Sequence, residues 1–288
     1  MEDAQKQAVG GDFEIRQVPP RSGGPSRWKS TLARNPESQK SRHFETIFRI
    51  LNERRSPVHV REFVHAGVEP SSLRSLVYDG AITNPMHGVY YLAEAYDPFL
   101  MAIAGLSTLS NDFVVGLKSA AQYHGLITKP DDNLWIAIPY GKSAVKAAGD
   151  YRTVAVRWQN MMPPTEPMVV SEIGDGMVDH WVTAPRDDME ATERYFGFST
   201  EVLFGRECLI TTPSKTVCDM LRNMNRLVGK DMSFARYISE GDAFDALKSY
   251  SERYDLMDLR RMADRHGCLP DIERHISLAE RFAVGLRR

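Results

Sequence analysis

The chain has 288 residues, 42% hydrophobic and 26% charged, with a formal net charge of −2 at pH 7. That balance belongs to an ordinary soluble globular protein and excludes a histone-like polycation. No apolar run approaches the roughly 18–20 residues of a membrane helix, Met1 to Gly11 is too polar for a secretory signal, and three scattered cysteines (Cys208, Cys218, Cys268) form neither a disulfide framework nor a zinc ribbon, so a reducing cytoplasm is the expected setting.

Residues 1–41 read as a flexible basic leader. They carry Pro19-Pro20, Gly23-Gly24-Pro25 and Pro36 with few aliphatics, too little apolar surface to fold alone. Between Arg16 and Arg42, seven cations (Arg16, Arg21, Arg27, Lys29, Arg34, Lys40, Arg42) face one acid, Glu37, a net of six positive charges. Such an arm suits the phosphates of nucleic acid. The plainer alternative is a solvated leader with no partner.

Residues 42–93 are the most legible part of the chain. Phe44, Ile47, Phe48 and Leu51 mark one apolar helical face, with Ser41 as the expected cap and Pro57 as the stop. Val58-His59-Val60 is extended. A compact second helix follows from Val60 to Ala66, ended by Gly67, and a third opens at Glu69-Pro70-Ser71-Ser72, buries Leu73, Leu76 and Val77, and ends at Gly80. Ala81-Ile82-Thr83 and Val89-Tyr90-Tyr91-Leu92 are strands joined by a turn over Asn84-Pro85-Met86-His87-Gly88. Three short helices followed by a hairpin spell a winged helix-turn-helix.

A third helix of this kind fits the major groove of DNA, about 12 Å wide, where each base pair shows its own donor and acceptor pattern. The residues expected to face outward are Ser71, Ser72, Arg74, Ser75 and Tyr78, with Arg74 the candidate guanine contact and Asn84 and His87 at the hairpin tip. Arg27, Lys29, Arg34, Lys40 and Arg42 are the candidate phosphate contacts. The helices and hairpin alone carry six arginines (42, 49, 54, 55, 61, 74) against five acids (45, 53, 62, 69, 79), so the leader supplies most of the attraction. A winged helix used only for protein contacts is the competing reading.

Residues 94–288 read as a second, larger domain. Asp97-Pro98 starts an apolar helix, and a second carries Val115, Ala120, Ala121 and His124. Leu134 to Ile138, Thr153 to Trp158, Val178 to Thr183 and Cys208 to Thr211 are expected strands; after Pro213 the pattern is helical, broken at Gly229, Gly241 and Gly267 to Pro270. The expected class is α+β: an N-terminal winged helix-turn-helix, then a mixed domain with a small sheet and a helical C-terminal half.

The usual catalytic constellations are missing from the pattern. There is no P-loop, no dinucleotide fingerprint and no Cys-x-x-Cys, and no serine sits in a nucleophile elbow, so no cofactor or resident metal is expected. Asp131-Asp132 and Asp187-Asp188 read as solvated loop acids, while Glu172, Asp175 and Asp179 are the one acidic group with the makings of a metal site. Thr211 to Leu221 reads as a strand entering a capped helix, with Thr212 as cap and Pro213 at its first position. Two uses of it stand open: the helix start and Lys215 hold an anion, or Thr212 merely caps while Val217, Met220 and Leu221 pack.

Three segments in order, His87-Gly88-Val89-Tyr90-Tyr91-Leu92, Lys118-Ser119-Ala120-Ala121-Gln122-Tyr123-His124-Gly125-Leu126 and Pro213-Ser214-Lys215-Thr216-Val217-Cys218-Asp219, resemble the AbiEi family, the antitoxin and transcriptional regulator of type IV toxin–antitoxin (abortive infection) systems. The likeness covers about Arg42 to Leu227; the leader is longer than the family's, and the chain after Asp231 diverges. The residues themselves lead to the expectation of a cytoplasmic protein that is not an enzyme; the likeness implies an autorepressor whose winged helix binds inverted repeats of double-stranded DNA in its own promoter. It implies also a C-terminal antitoxin domain, marked by Lys215, Thr216 and Asp219, that counteracts a nucleotidyltransferase-like toxin without a stable complex. The competing expectations are a nucleic-acid- or nucleotide-processing enzyme targeted by the winged helix, and a protein that sequesters a partner.

Overall fold

The computed structural model of the chain describes residues 27–93, 97–110, 112–143, 151–157, 168–171, 179–182, 192–225 and 238–285. It is a mixed α+β structure with small sheets and a helical C-terminal half.

The N-terminal unit is built from α1 (Arg27–Arg34), α2 (Gln39–Arg54), β1 (Val58–His59), α3 (Val60–His65), α4 (Pro70–Tyr78), β2 (Ile82–Met86) and β3 (Val89–Leu92). The Phe44/Ile47/Leu51 stripe of α2 packs against Phe63, Leu73 and Leu76, and the antiparallel sheet β1-β3-β2 closes this core through Val58 and Ile82. Two expectations change here. The leader is helical from Arg27, because Trp28 and Leu32 find apolar cover on this core. The cap of α2 is Ser38, whose hydroxyl accepts from the Ser41 N–H, while Ser41 is buried in the first turns and donates to the Asn35 carbonyl at 2.7 Å.

The hairpin also departs from expectation. Strand β2 runs to Met86, which pairs with Val89, leaving a two-residue loop of His87 and Gly88. One extra residue between Thr83 and Met86 forms a bulge, and Pro85, which has no N–H to give a ladder, sits in it.

Helix α5 (Pro98–Leu109), capped by the Asp97 carboxylate, joins this unit to a five-stranded sheet in the order β6-β5-β4-β10-β9. Its strands are β4 (Val114–Val115), β5 (Asn133–Ala137), β6 (Arg152–Val156), β9 (Phe198–Leu203) and β10 (Arg206–Thr211); a separate pair is β7 (Met168–Ser171) with β8 (Asp179–Val182). Val115, expected in a helix, is in a strand, since β4 pairs on both sides, antiparallel to β5 and parallel to β10. The continuous apolar run of β5 follows from burial of both faces: Leu134 and Ile136 meet α5, while Trp135 and Ala137 meet the opposite layer. On the α5 side Gly105 lies so near the hairpin that a Cβ there would come within 3.2 Å of Pro85 and Met86.

The opposite layer is helical: α6 (Leu117–Tyr123), α7 (Pro213–Arg222), α8 (Glu240–Arg253), α9 (Leu256–Arg265) and α10 (Leu269–Gly285). Gly241 does not interrupt the chain's helicity as expected; it lies in the first turn of α8, whose start is fixed by a capping box of Ser239 and Asp242. Gly229 lies outside the described residues.

Candidate functional site

Two places draw together the residues that carry chemistry. The first is the outer face of α4 with the β2–β3 hairpin. Ser71, Arg74 and Tyr78 lie at i, i+3 and i+7, one face of the helix. All three are exposed, Tyr78 at 80%. Ser75 is half-buried beside them, and His87 is exposed at the hairpin tip. On the neighbouring β3, burial raises the Tyr90 phenol, and the Arg74 cation works against that rise.

Two expected contacts turn inward. Ser72 is buried, with its hydroxyl 3.1 Å from Nδ1 of buried His43 on α2. It stands on the same side of α4 as Leu73 and Leu76 and ties two helices together. Asn84 is in the bulge rather than at the tip, and its amide donates to the carbonyls of Met86 and Val89, each at 2.6 Å. An amide so engaged holds the hairpin in shape.

Of the basic leader, Arg27 falls in α1, Lys29 and Arg34 are exposed on that helix, and Lys40 and Arg42 are exposed at the start of α2. Arg42 pairs with Glu37 at 3.2 Å. Gln39 donates to Glu69 at 3.1 Å, which seats the start of α2 against the start of α4. Arg16 and Arg21 lie outside the described residues.

The second place is the start of α7. Pro213 opens the helix and the Thr212 hydroxyl accepts from the Lys215 N–H, as the pattern requires. Lys215 does not serve an anion there. Its side chain is fully buried, and Nζ donates to both carboxylate oxygens of Asp219 at 2.5 and 2.6 Å while lying 5.7 Å from the Phe198 ring centroid. Burial raises the Asp219 carboxyl, and the Lys215 ammonium opposes the rise. The roof is tight: Gly197 has φ +73°, and a Cβ on it would fall 2.6 Å from the Lys215 Cβ. Thr216 shares a 2.7 Å hydroxyl contact with Thr211, and Val217, Met220 and Leu221 are buried.

The segments of residues 118–126 and 213–219 meet at this point. His124, which ends α6, places Nε2 2.7 Å from the Thr211 carbonyl; burial lowers its imidazole, against that hydrogen bond. At the head of α6, Lys118 bridges Asp131 and Asp242, each at 3.1 Å. Asp131, expected as a solvated loop acid, is therefore an internal anchor that also accepts from Trp135 Nε1 at 2.8 Å. Burial opposes its ionisation, and the donors from Trp135, Asn133 and Lys118 bring its carboxyl below the ordinary value.

Glu172, Asp175, Asp187 and Asp188 lie outside the described residues, as does the side chain of Asp179. Among the described residues no group of three or more His, Cys, Asp or Glu is placed to hold a metal ion, and no helix is long and apolar enough to cross a membrane. Reading by residue type missed Trp28, His43 and the burial of Lys215. The available signals were an aromatic among cations for the first and the Lys-x-x-x-Asp spacing for the last.

A comparison with models of known protein families finds no match, and a comparison with curated proteins finds none either.

Proposed function

We propose that this chain is a sequence-specific, winged-helix DNA-binding autorepressor and the antitoxin of a type IV toxin–antitoxin pair. The observation that carries the reading is the exposed row Ser71, Arg74 and Tyr78 on α4, beside a hairpin tipped by His87. A guanidinium flanked by short hydroxyls is the chemistry that reads base edges, and Arg74 paired with guanine is the contact expected to discriminate most. The cations Arg27, Lys29, Arg34, Lys40 and Arg42 add the phosphate attraction that the rest of the unit lacks. The DNA is double-stranded, with inverted repeats in the protein's own promoter, so two protomers meet on half-sites one helical turn or a multiple apart.

The antitoxin part rests on the resemblance of the three segments. In this reading the domain after residue 94 opposes a nucleotidyltransferase-like toxin in the cytoplasm without a stable complex and without catalysis of its own. Lys215, Thr216 and Asp219 act by fixing its core rather than by touching a partner.

The test is binding of the purified chain to the DNA upstream of its gene, against scrambled DNA, over a salt series. Preference of ~10³-fold or more, the lower end for specific binders, supports the regulator. Salt-sensitive binding with no preference sinks it.

A further inference from the structure

We infer that α1 is a docked phosphate clamp and Trp28 the positioning residue that holds it. The proposal rests on the DNA-binding reading and concerns how the leader takes part. An electrostatic arm needs only charge; this one has a built seat. The Trp28 ring lies 4.8 Å from the Phe48 ring, centroid to centroid, and Leu32 packs on the same core as α2 and α4. The turn that follows is fixed as well, since the Asn35 carbonyl accepts both the Ser38 N–H and the Ser41 hydroxyl. Because Gln39 then bonds Glu69, that turn stands at the start of α4, the end of the helix that approaches base edges.

Charge and position agree on the occupant. Lys29, Arg34 and Lys40 are exposed cations, with Lys29 Nζ 5.4 Å from the Trp28 ring centroid. Of the acids nearby, Glu37 is neutralised by Arg42, while Glu69 keeps its charge and accepts from Gln39 and Ser71, so the cations outnumber it on this face. A rigid cationic helix flanking the reading helix matches the sugar–phosphate backbone of the same duplex, one strand away from the bases that α4 addresses. Ordering the helix before binding removes an entropy cost that a floating arm would meet on the DNA.

The experiment uses the full chain on its upstream duplex, with the unaltered protein's preference over scrambled DNA as reference. Lys29→Gln with Arg34→Gln removes two charges, which should lower the salt slope by roughly 1.8 and weaken binding roughly tenfold or more. Trp28→Ala leaves the charge untouched and should weaken binding to a similar extent, while Trp28→Phe restores it. Thermal unfolding of Trp28→Ala separates loss of the seat from loss of the fold. Wild-type affinity in Trp28→Ala beside weakened binding in the charge variant would mean a floating arm and overturn the proposal, as would wild-type affinity in both. A reference protein with no sequence preference would instead overturn the underlying DNA reading, and this one with it.

Discussion

Lys215 and Asp219, one turn apart on α7, form a two-pronged ion pair in which neither side chain meets solvent. Taking both charges out of water costs several kcal/mol per ion, repaid only while each keeps the other. Asp219→Ala should therefore destabilise the chain by about 3–5 kcal/mol, because it strands a buried ammonium. Lys215→Met combined with Asp219→Leu should cost far less than either change alone. Urea unfolding midpoints at neutral pH check this, and equal losses in the single and double variants would contradict it.

His266 gives the same region a pH dependence. It ends α9 with Nε2 3.2 Å from the Phe196 carbonyl, and burial, followed by the Lys215 cation, lowers its imidazole to about 3 from an ordinary 6.5. The folded chain thus keeps it neutral where the unfolded chain protonates it. Stability is fully present above 6.5 and falls as the pH drops toward 3, at about 1.4 kcal/mol per unit, or about 2 kcal/mol by pH 5. His124, also lowered by burial, acts with the same sign. His266→Gln retains a donor for Phe196 without titrating. Its unfolding free energy should fall between pH 7 and pH 5 by about 2 kcal/mol less than that of the unaltered chain.

Besides the apolar core that Met86 and Val89 share with α5 and the sheet, one loop gathers hydrogen bonds between the N-terminal unit and the large sheet. Arg206 Nη2 on β10 donates to the Pro57 carbonyl at 2.6 Å, the Thr108 hydroxyl of α5 reaches the same oxygen at 3.4 Å, and Tyr91 donates to the Arg55 carbonyl. The Arg206 bond is charge-assisted and worth about 1.5–3 kcal/mol, but its Nε is buried with no acceptor and subtracts from that. Arg206→Met, which retains the apolar stem, should consequently cost only about 1–2 kcal/mol. Hydrogen exchange of the Val58 and His59 amides should quicken with it, whereas a loss confined to the β9–β10 hairpin would show that the tie carries nothing across.

The α2 stripe, Pro70, Asp97-Pro98 and Thr212-Pro213 could all be read in the sequence because helix periodicity and caps are local. What escaped depends on distant partners. Strand β4 is two valines long and is defined by parallel pairing of Val115 with Ile210, nearly a hundred positions away. Strand β9, Phe198–Leu203, went unseen although it forms a tight hairpin with β10 through Phe204-Gly205; its Ser-Thr-Glu centre shows no apolar run. The same limit applies at the site. Exposure of Arg74 and Tyr78 follows from the α4 period, but Ser72 looks no different from Ser71 until His43 arrives from α2.

That difference between neighbouring serines yields the sharpest test of the α4 face proposed to read DNA. Ser72→Ala leaves Nδ1 of buried His43 without its partner and should destabilise the chain by about 1–3 kcal/mol, while base discrimination at temperatures well below unfolding stays as it was. Arg74→Ala removes an exposed side chain, so stability should shift by no more than about 0.5 kcal/mol. If Arg74 makes the proposed bidentate guanine contact, preference for the upstream DNA should collapse by about 1–3 kcal/mol at the affected base pair. Competition binding against single-base operator variants, alongside thermal unfolding of both proteins, separates the two effects. If Arg74→Ala retains full discrimination, the base contact belongs to another residue of the α4 face; if Ser72→Ala loses it without losing stability, the His43 link is no tie and Ser72 faces the DNA after all.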